Sequence, residues 1–345
     1  MATLKEALDV ISKLSTEDKE TLQSILTKDL SPTKSMEEFL TDERFANGRV
    51  CPKCGCIHIV RNGHRKDGKQ RYRCKDCGVT FVITNNSITS HTRKSLDVWE
   101  TYINCMMNCF SIRKTAEICK ITTKTAFIWR HKILDALQNM ADGVVLEGIV
   151  EADETFFPIS YKGNHKRSKK GFILPREVHK RGKSVHKRGI SNEQVCVPCA
   201  INRNGLSISK VGTLGKVKKE CLHLIYDNKI KSGTTVCTDK EKAYRKFSCE
   251  NDLNLIQLDN GKTVKGLYNI QHINSYHSQL KKFIDHFNGV STKHLNNYLI
   301  WNNFVNYAVE KFSEKQQILT KYVLTTIKSE VGEAIFDRPA VPVLV

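Results

Sequence analysis

Gly148-Ile149-Val150-Glu151-Ala152-Asp153 is an apolar run that closes on a carboxylate, and its reading decides the fold. The run reads as a β-strand, as does Thr235-Val236-Cys237-Thr238-Asp239, which ends the same way. Between them, Gln194 to Ile201 and Leu206 to Val211 read as a hairpin over the turn Asn202-Arg203-Asn204-Gly205. An acid that follows a single strand is, taken alone, most often a loop or helix cap. Two such acids on adjacent strands can hold hard divalent cations, about 4 Å apart in a two-metal site, that orient a nucleophile and stabilise a departing oxygen.

A third position strengthens that reading. Asn274 follows Asp239 by 35 positions and opens the helical stretch Asn274-Ser275-Tyr276-His277-Ser278-Gln279-Leu280-Lys281. Asn274 and Lys281 are seven apart, two helical turns, so an oxygen ligand and a cation point the same way. Glu151 and Glu154 are acidic neighbours of Asp153, and Glu154 is a candidate extra ligand.

Upstream, the apolar period is helical from Lys94 to Met140, in three segments. Ser111 caps a short helix to Cys119, and Ile121-Thr122-Thr123 is the turn into a third helix, the layout of a helix-turn-helix. Such a unit sets the first turn of its last helix on base edges, which makes Thr122, Thr123, Lys124 and Thr125 candidate DNA contacts. Arg130, His131 and Lys132 fall nearer to phosphates, while Phe127 and Trp129 read as core. Trihelical bundles that bind nothing share this spacing, so the basic neighbours carry part of the reading.

Those neighbours include Cys51-Pro52-Lys53-Cys54-Gly55 and Cys74-Lys75-Asp76-Cys77-Gly78, with 19 residues between the pairs. Two residues between thiols let a tight turn aim both sulfurs at one ion, and the trailing glycine permits a left-handed backbone. The spacing predicts a structural four-thiolate zinc site in a zinc ribbon, with Cys56 and His58 as less symmetric rivals and free or redox thiols as the alternative. Arg61, Arg65, Lys66, Lys69, Arg71 and Arg73 between the knuckles offer a phosphate-facing surface.

The whole chain is basic: 345 residues carry a formal charge of +19, which points to a polyanionic partner. About half of the excess lies between Lys162 and Arg188, where eleven Lys or Arg accompany one acid, Glu177. Lys166, Arg167, Lys169 and Lys170 in this insertion are candidate DNA contacts, a solvated disordered insertion being the alternative. No apolar run nears membrane-spanning length and the first residues lack the layout of a signal peptide, so a cytoplasmic protein with reduced thiols is expected, with no membrane partner. The expected plan is multidomain α+β: a helical segment at 1–45, a zinc ribbon at 46–90, a helix-turn-helix at 91–142, an α/β domain at 143–312 and a tail at 313–345.

Taken together, the paired cysteines, Arg130-His131-Lys132-Ile133-Leu134, Val150-Glu151-Ala152-Asp153-Glu154-Thr155, Thr238-Asp239 with Ala243-Tyr244, and Asn274 to Lys281 resemble the bacterial insertion-sequence transposases. The run from Phe287 through Gly289-Val290-Ser291-Thr292-Lys293 to Leu299 extends the resemblance over nearly the whole chain. The resemblance implies a ribonuclease-H-like catalytic domain with a mixed sheet flanked by helices, and Mg²⁺ as cofactor with Mn²⁺ able to substitute. It implies hydrolysis at inverted-repeat ends of the element, then attack of the freed 3′-hydroxyl on target DNA. On the same ground Asp153 and Asp239 become metal-bridging carboxylates, Asn274 the third ligand and Lys281 a phosphate-binding group. Asn274 departs from the commoner glutamate, since an amide oxygen ligates Mg²⁺ without charge, and Glu154 or His277 could compensate. Acting on two ends implies at least a homodimer on double-stranded DNA, near the nucleoid. The competing readings are a non-catalytic DNA-binding regulator and a nuclease of the same fold that never joins strands.

Overall fold

The computed structural model describes residues 10–15, 18–19, 35–164, 171–175, 191–259, 264–307, 310–326 and 332–344. Lys166, Arg167, Lys169 and Lys170 lie outside the described residues, as does most of the basic insertion. The chain divides into two compact units, Met1–Asn85 and Asn86–Val345.

The first unit has too few apolar residues for a large core, and what it has is concentrated. Helix α1 (Met36–Arg44) starts on a reciprocal capping box between Ser35 and Glu38. Strands β1 (Ile59–His64), β2 (Gln70–Cys74) and β3 (Thr80–Val82) form an antiparallel sheet in that order. Along β2, Tyr72 turns inward among Cys51, Ile59, Cys74 and Phe81, and its flanking Arg71 and Arg73 are exposed. Phe45 meets the Tyr72 ring edge-on at 5.1 Å between centroids.

The second unit opens with α2 (Leu96–Met107), α3 (Ile112–Ile118) and α4 (Thr123–Ala141). Trp99 of α2 stacks on Trp129 of α4 at 3.7 Å, which makes Trp129 a core residue. Next come β4 (Ile149–Pro158), β5 (Gln194–Asn202) and β6 (Ser207–Ser209), an antiparallel meander. Asn202 Oδ1 accepts the N–H groups of Asn204 and Leu206 to close the tight turn between β5 and β6, and Gly205 there adopts φ +83°.

Helix α5 (Lys219–Tyr226) leads into β7 (Thr235–Thr238), and α6 (Lys242–Glu250) into β8 (Asn254–Gln257). Both of these strands run parallel to β4, and the sheet order is β6-β5-β4-β7-β8. Three antiparallel strands followed by two parallel ones on the far side of the first are the ribonuclease-H-like arrangement. Side-chain alternation along β4 sorts the layers. Val150 and Ala152 join Leu222, Tyr226, Tyr244 and Phe247 on the α5 and α6 face, while the opposite face meets a later helix, α7 (Gln271–His286).

After a short hairpin, β9 (Val264–Lys265) with β10 (Tyr268–Asn269), α7 begins three residues before Asn274, so Asn274 lies within the first turn instead of opening the helix. Helix α8 (Leu295–Tyr307) packs on α4, and α9 (Phe312–Thr325) packs on α2 and α4. The short α10 (Gly332–Phe336) also lies on α4, so the stretch after residue 312 is folded onto the trihelical bundle where it is described. Asp135 of α4 pairs with Arg338 and accepts Asn297 Nδ2 at 2.9 Å, and His131 stacks on His294 at 4.0 Å.

Candidate active site

Asp153 and Asp239 are brought together by strand register. The parallel β4–β7 ladder runs as far as Glu151 with Cys237, and the same register carried past the end of β7 brings Asp239 level with Asp153, close enough for their charges to interact. Asp153 thus sits midway along β4, level with the point where β7 has just ended and Asp239 follows it. Burial pushes the Asp153 carboxyl up to about 6, and the Asp239 charge adds to the push, partly offset by Lys281. Each aspartate is also held by a backbone N–H at 2.9 Å, that of Glu154 for Asp153 and that of Glu241 for Asp239.

Helix α7 supplies the facing wall. Asn274, His277 and Lys281 stand at helical spacing on one side of it. His277 Nδ1 is 3.8 Å from Asp153 Oδ2, and Lys281 is within electrostatic reach of Asp153. Burial lowers the His277 imidazole to about 4, with the Lys281 cation adding to the effect, so it is neutral at ordinary pH. Asn274 and Lys281 are exposed, and Asp153 keeps 21% of its side chain open, so the pocket is reachable from solvent.

Glu151, read from sequence only as an acidic neighbour, has a definite structural task. Its side chain is 1% exposed and points to the α7 side, two residues from Asp153 on the same strand face. Oε2 accepts the N–H groups of His272 and Ile273 at 2.8 and 3.1 Å, the unpaired donors of the first turn of α7. Oε1 faces His272 Nδ1 at 2.8 Å and Arg203 Nη2 at 3.2 Å. The helix is thereby pinned to β4 immediately before Asn274.

Glu154 corrects the expectation of an extra metal ligand. As the neighbour of Asp153 on a strand it turns to the other face, toward α5 and α6, beside the buried Tyr244 ring. Burial pushes its carboxyl up to about 8, and the charges of Asp153, Asp239 and Glu241 add to that, so it is protonated at neutral pH.

The thiol cluster is local by contrast. Cys51, Cys54, Cys74 and Cys77 place their sulfurs within 4.8 Å of one another. Cys51 to Cys77 and Cys54 to Cys74 each measure 3.6 Å, against about 3.8 Å for the edge of a zinc–thiolate tetrahedron. The knuckles repeat one another: Gly55 N donates to Cys51 O at 3.0 Å, and Gly78 N to Cys74 O at 3.1 Å. Both glycines are left-handed, at φ +74° and +70°. Cys56 comes within 3.1 Å of Cys74 between sulfurs and also meets Cys54 and Asp76, and His58 Nδ1 pairs with Asp76 at 3.0 Å, but neither belongs to the four-sulfur set.

In the trihelical bundle, Thr122 caps α4 by accepting the Thr125 N–H at 3.1 Å, and Thr122, Thr123 and Lys124 are exposed. Thr125 and Lys132 are half-buried. Arg130 overturns its reading as a phosphate contact. It is 0% exposed, donates to Phe110 O at 2.6 Å, and lies 4.8 Å from the Trp301 ring centre, so it serves the core. His131 is buried as well, at 1%. A cleft of about 520 Å³ at the start of α4 is lined by His91, Arg93, Lys94, Lys120 and Lys132. Sequence reading passed over the first four; the basic run just ahead of α2 was the available signal.

Comparison with known proteins agrees with this architecture. Residues 145–304 match the ISXO2-like transposase domain, and residues 34–80 match the transposase zinc-ribbon domain. A protein in the transposable element ISH50 of Halobacterium salinarum is 26% identical over 265 residues, covering 75% of this chain and 86% of that one. The insertion element iso-IS1N protein InsA of Shigella dysenteriae is 32% identical over 75 residues, 22% of this chain and 79% of that one. Among solved structures, a pre-cleavage Mos1 transpososome aligns at 9% identity and a TM-score of 0.21, over 64% of this chain and 77% of that one. At that score the superposition adds nothing to the domain matches. With a transposase zinc ribbon, an ISXO2-like domain and a mixed sheet of the expected topology in one polypeptide, the chain belongs to the insertion-sequence transposases.

Proposed function

We propose that this transposase cuts DNA at the ends of its element and joins the freed 3′-hydroxyl to target DNA, with divalent cations held by Asp153, Asp239 and Asn274. The register that sets Asp153 beside Asp239, opposite the Lys281 face of α7, is the observation that carries this reading. Two carboxylates crowded together, one desolvated enough to titrate near 6, form a donor pair that a dication relieves. Bound Mg²⁺ or Mn²⁺ would supply Lewis acidity at the scissile phosphate and a water of lowered pKa.

The residues of the chain perform the remaining tasks. Asp153 and Asp239 present anionic oxygens, and Asn274 presents a neutral one. Lys281 offers its ammonium to a phosphate oxygen, and the Glu151 clamp keeps α7 in place against β4. Hydrolysis breaks the bond from phosphorus to the 3′-oxygen, leaving a 3′-hydroxyl and a 5′-phosphate. In strand transfer that hydroxyl attacks a target phosphorus and displaces the target's own 3′-oxygen. No further reactant is required.

DNA is held, in this reading, by the exposed first turn of α4 and the adjoining basic cleft, by the basic face of the ribbon, and by Lys166, Arg167, Lys169 and Lys170 of the insertion. Handling both ends calls for two copies of the chain. Among the described residues no helix is long and apolar enough to cross a membrane.

The deciding experiment incubates the protein with duplex DNA carrying the element's end and Mg²⁺, comparing wild type with Asp153→Ala and Asp239→Ala. Cleavage confined to wild type is expected, with a drop of at least about a hundredfold in either variant. Equal behaviour of all three rejects the enzyme reading in favour of a DNA-binding regulator, and cleavage without joined product leaves a nuclease.

A further inference from the structure

We infer that His277 is itself a ligand of the divalent ion on Asp153, so that the site carries an imidazole nitrogen among its oxygen donors. This role presupposes the ion-binding reading of Asp153 and Asp239 given above and adds a donor to it. The separation of 3.8 Å between His277 Nδ1 and Asp153 Oδ2 is too long for a hydrogen bond. It suits two ligand atoms that face a third centre. Donors each about 2.1 Å from one ion, at right angles or wider, stand about 3.0 to 4.2 Å apart.

Burial makes the same point. His277 is 9% exposed, and its Nε2 is enclosed with no partner among the described residues. The ring is thus withdrawn from water with Nε2 unpartnered, and Nδ1, which faces Asp153 beyond hydrogen-bond distance, is the nitrogen free to meet an ion. Its outer N–H then remains to hold a buried water, as metal-bound imidazoles commonly do.

The donor count gives a reason. Asn274 brings an oxygen without charge, and His277 follows it by three positions on the same side of α7. A nitrogen donor there restores coordination that the amide supplies only weakly. It also changes selectivity, because imidazole favours transition ions while all-oxygen sites suit Mg²⁺. The site should therefore bind Mn²⁺ more tightly than Mg²⁺.

The test titrates the zinc-loaded full chain with Mn²⁺ alone and reads the bound ion by electron spin echo spectroscopy, which detects directly coordinated nitrogen. Expected is one Mn²⁺ that disappears in Asp153→Asn and shows imidazole nitrogen in wild type. In His277→Gln the nitrogen signal should vanish and Mn²⁺ affinity should fall at least about tenfold, with a smaller change for Mg²⁺. An Asp153-dependent Mn²⁺ without imidazole nitrogen, or with a signal that survives in His277→Gln, overturns the ligand role and leaves the proposed function standing. Absence of any Asp153-dependent Mn²⁺ removes both. The wild-type spectrum decides even where the variant does not fold.

Discussion

The thiolate cluster and the carboxylate pair are opposite ways of building a site. The four cysteines span 27 residues, and each knuckle is shaped by hydrogen bonds inside its own turn. The second site reaches from Asp153 to Lys281, 129 residues, and exists only because two parallel strands share a register and one helix is pinned across them. The first arrangement is closed, with four protein ligands and no open position. The second keeps an exposed side, as the proposed role at a phosphate requires. A local site depends on its ion for folding, whereas a dispersed site depends on the fold to bring its charges together.

Zinc removal should give the largest effect, because structural zinc contributes about 10 kcal/mol or more to small metal domains. A chelator is expected to abolish amide-exchange protection in β1 to β3, and retained protection would mean that the small apolar core suffices. Cutting the strand-to-helix pin comes next. Glu151→Ala strands two helix N–H groups and should cost about 3 kcal/mol in denaturant unfolding, leaving the zinc content unchanged.

Removing the crowded charge should act in the other direction. Asp153 titrates near 6 in the folded chain against 3.8 as a free group, so the folded state holds the extra proton between those values. The contribution of this carboxyl to stability is complete below 3.8 and is lost as pH rises through 6. At pH 7 without divalent ions, Asp153→Asn should stabilise the chain by roughly 1 to 3 kcal/mol, and added Mg²⁺ should stabilise only wild type. Thermal melts at acidic and neutral pH read both effects; a destabilised variant contradicts the assigned crowding.

The smallest change is expected at Glu154, the candidate extra ligand of the sequence reading. Glu154 is already protonated at neutral pH, so Glu154→Gln should shift stability by no more than about 0.5 kcal/mol and leave cleavage intact. A large loss of cleavage would return its charge to the site.

Sequence carried the ribbon almost whole, because knuckle spacing and trailing glycines are local signals. It also carried the strand that leads to Asp239 and the helix face with Asn274 and Lys281, but it closed β4 at Asp153, whereas the strand runs on through Phe157 to Pro158 because its partner β5 pairs along that whole length. It missed β8, whose four residues, Asn254–Gln257, are too short to show a period, and the folding of the chain after residue 312 onto α2 and α4. Arg130 misled because charge suggests a surface, whereas its guanidinium meets a carbonyl and an aromatic ring supplied by residues 110 and 301. Glu154 misled because adjacency in sequence hides the alternation of a strand. Neither error could be corrected without knowing which face each side chain takes.

Helix α4 runs for 19 residues, about 28 Å, with its first turn free and its later turns fastened to α8 and Arg338. If that free turn grips the element's end, α4 acts as a ruler between gripping and cutting. Lengthening or shortening the DNA between the gripped bases and the cleaved bond by one base pair would then turn the phosphate by about a tenth of a helical turn relative to the acids.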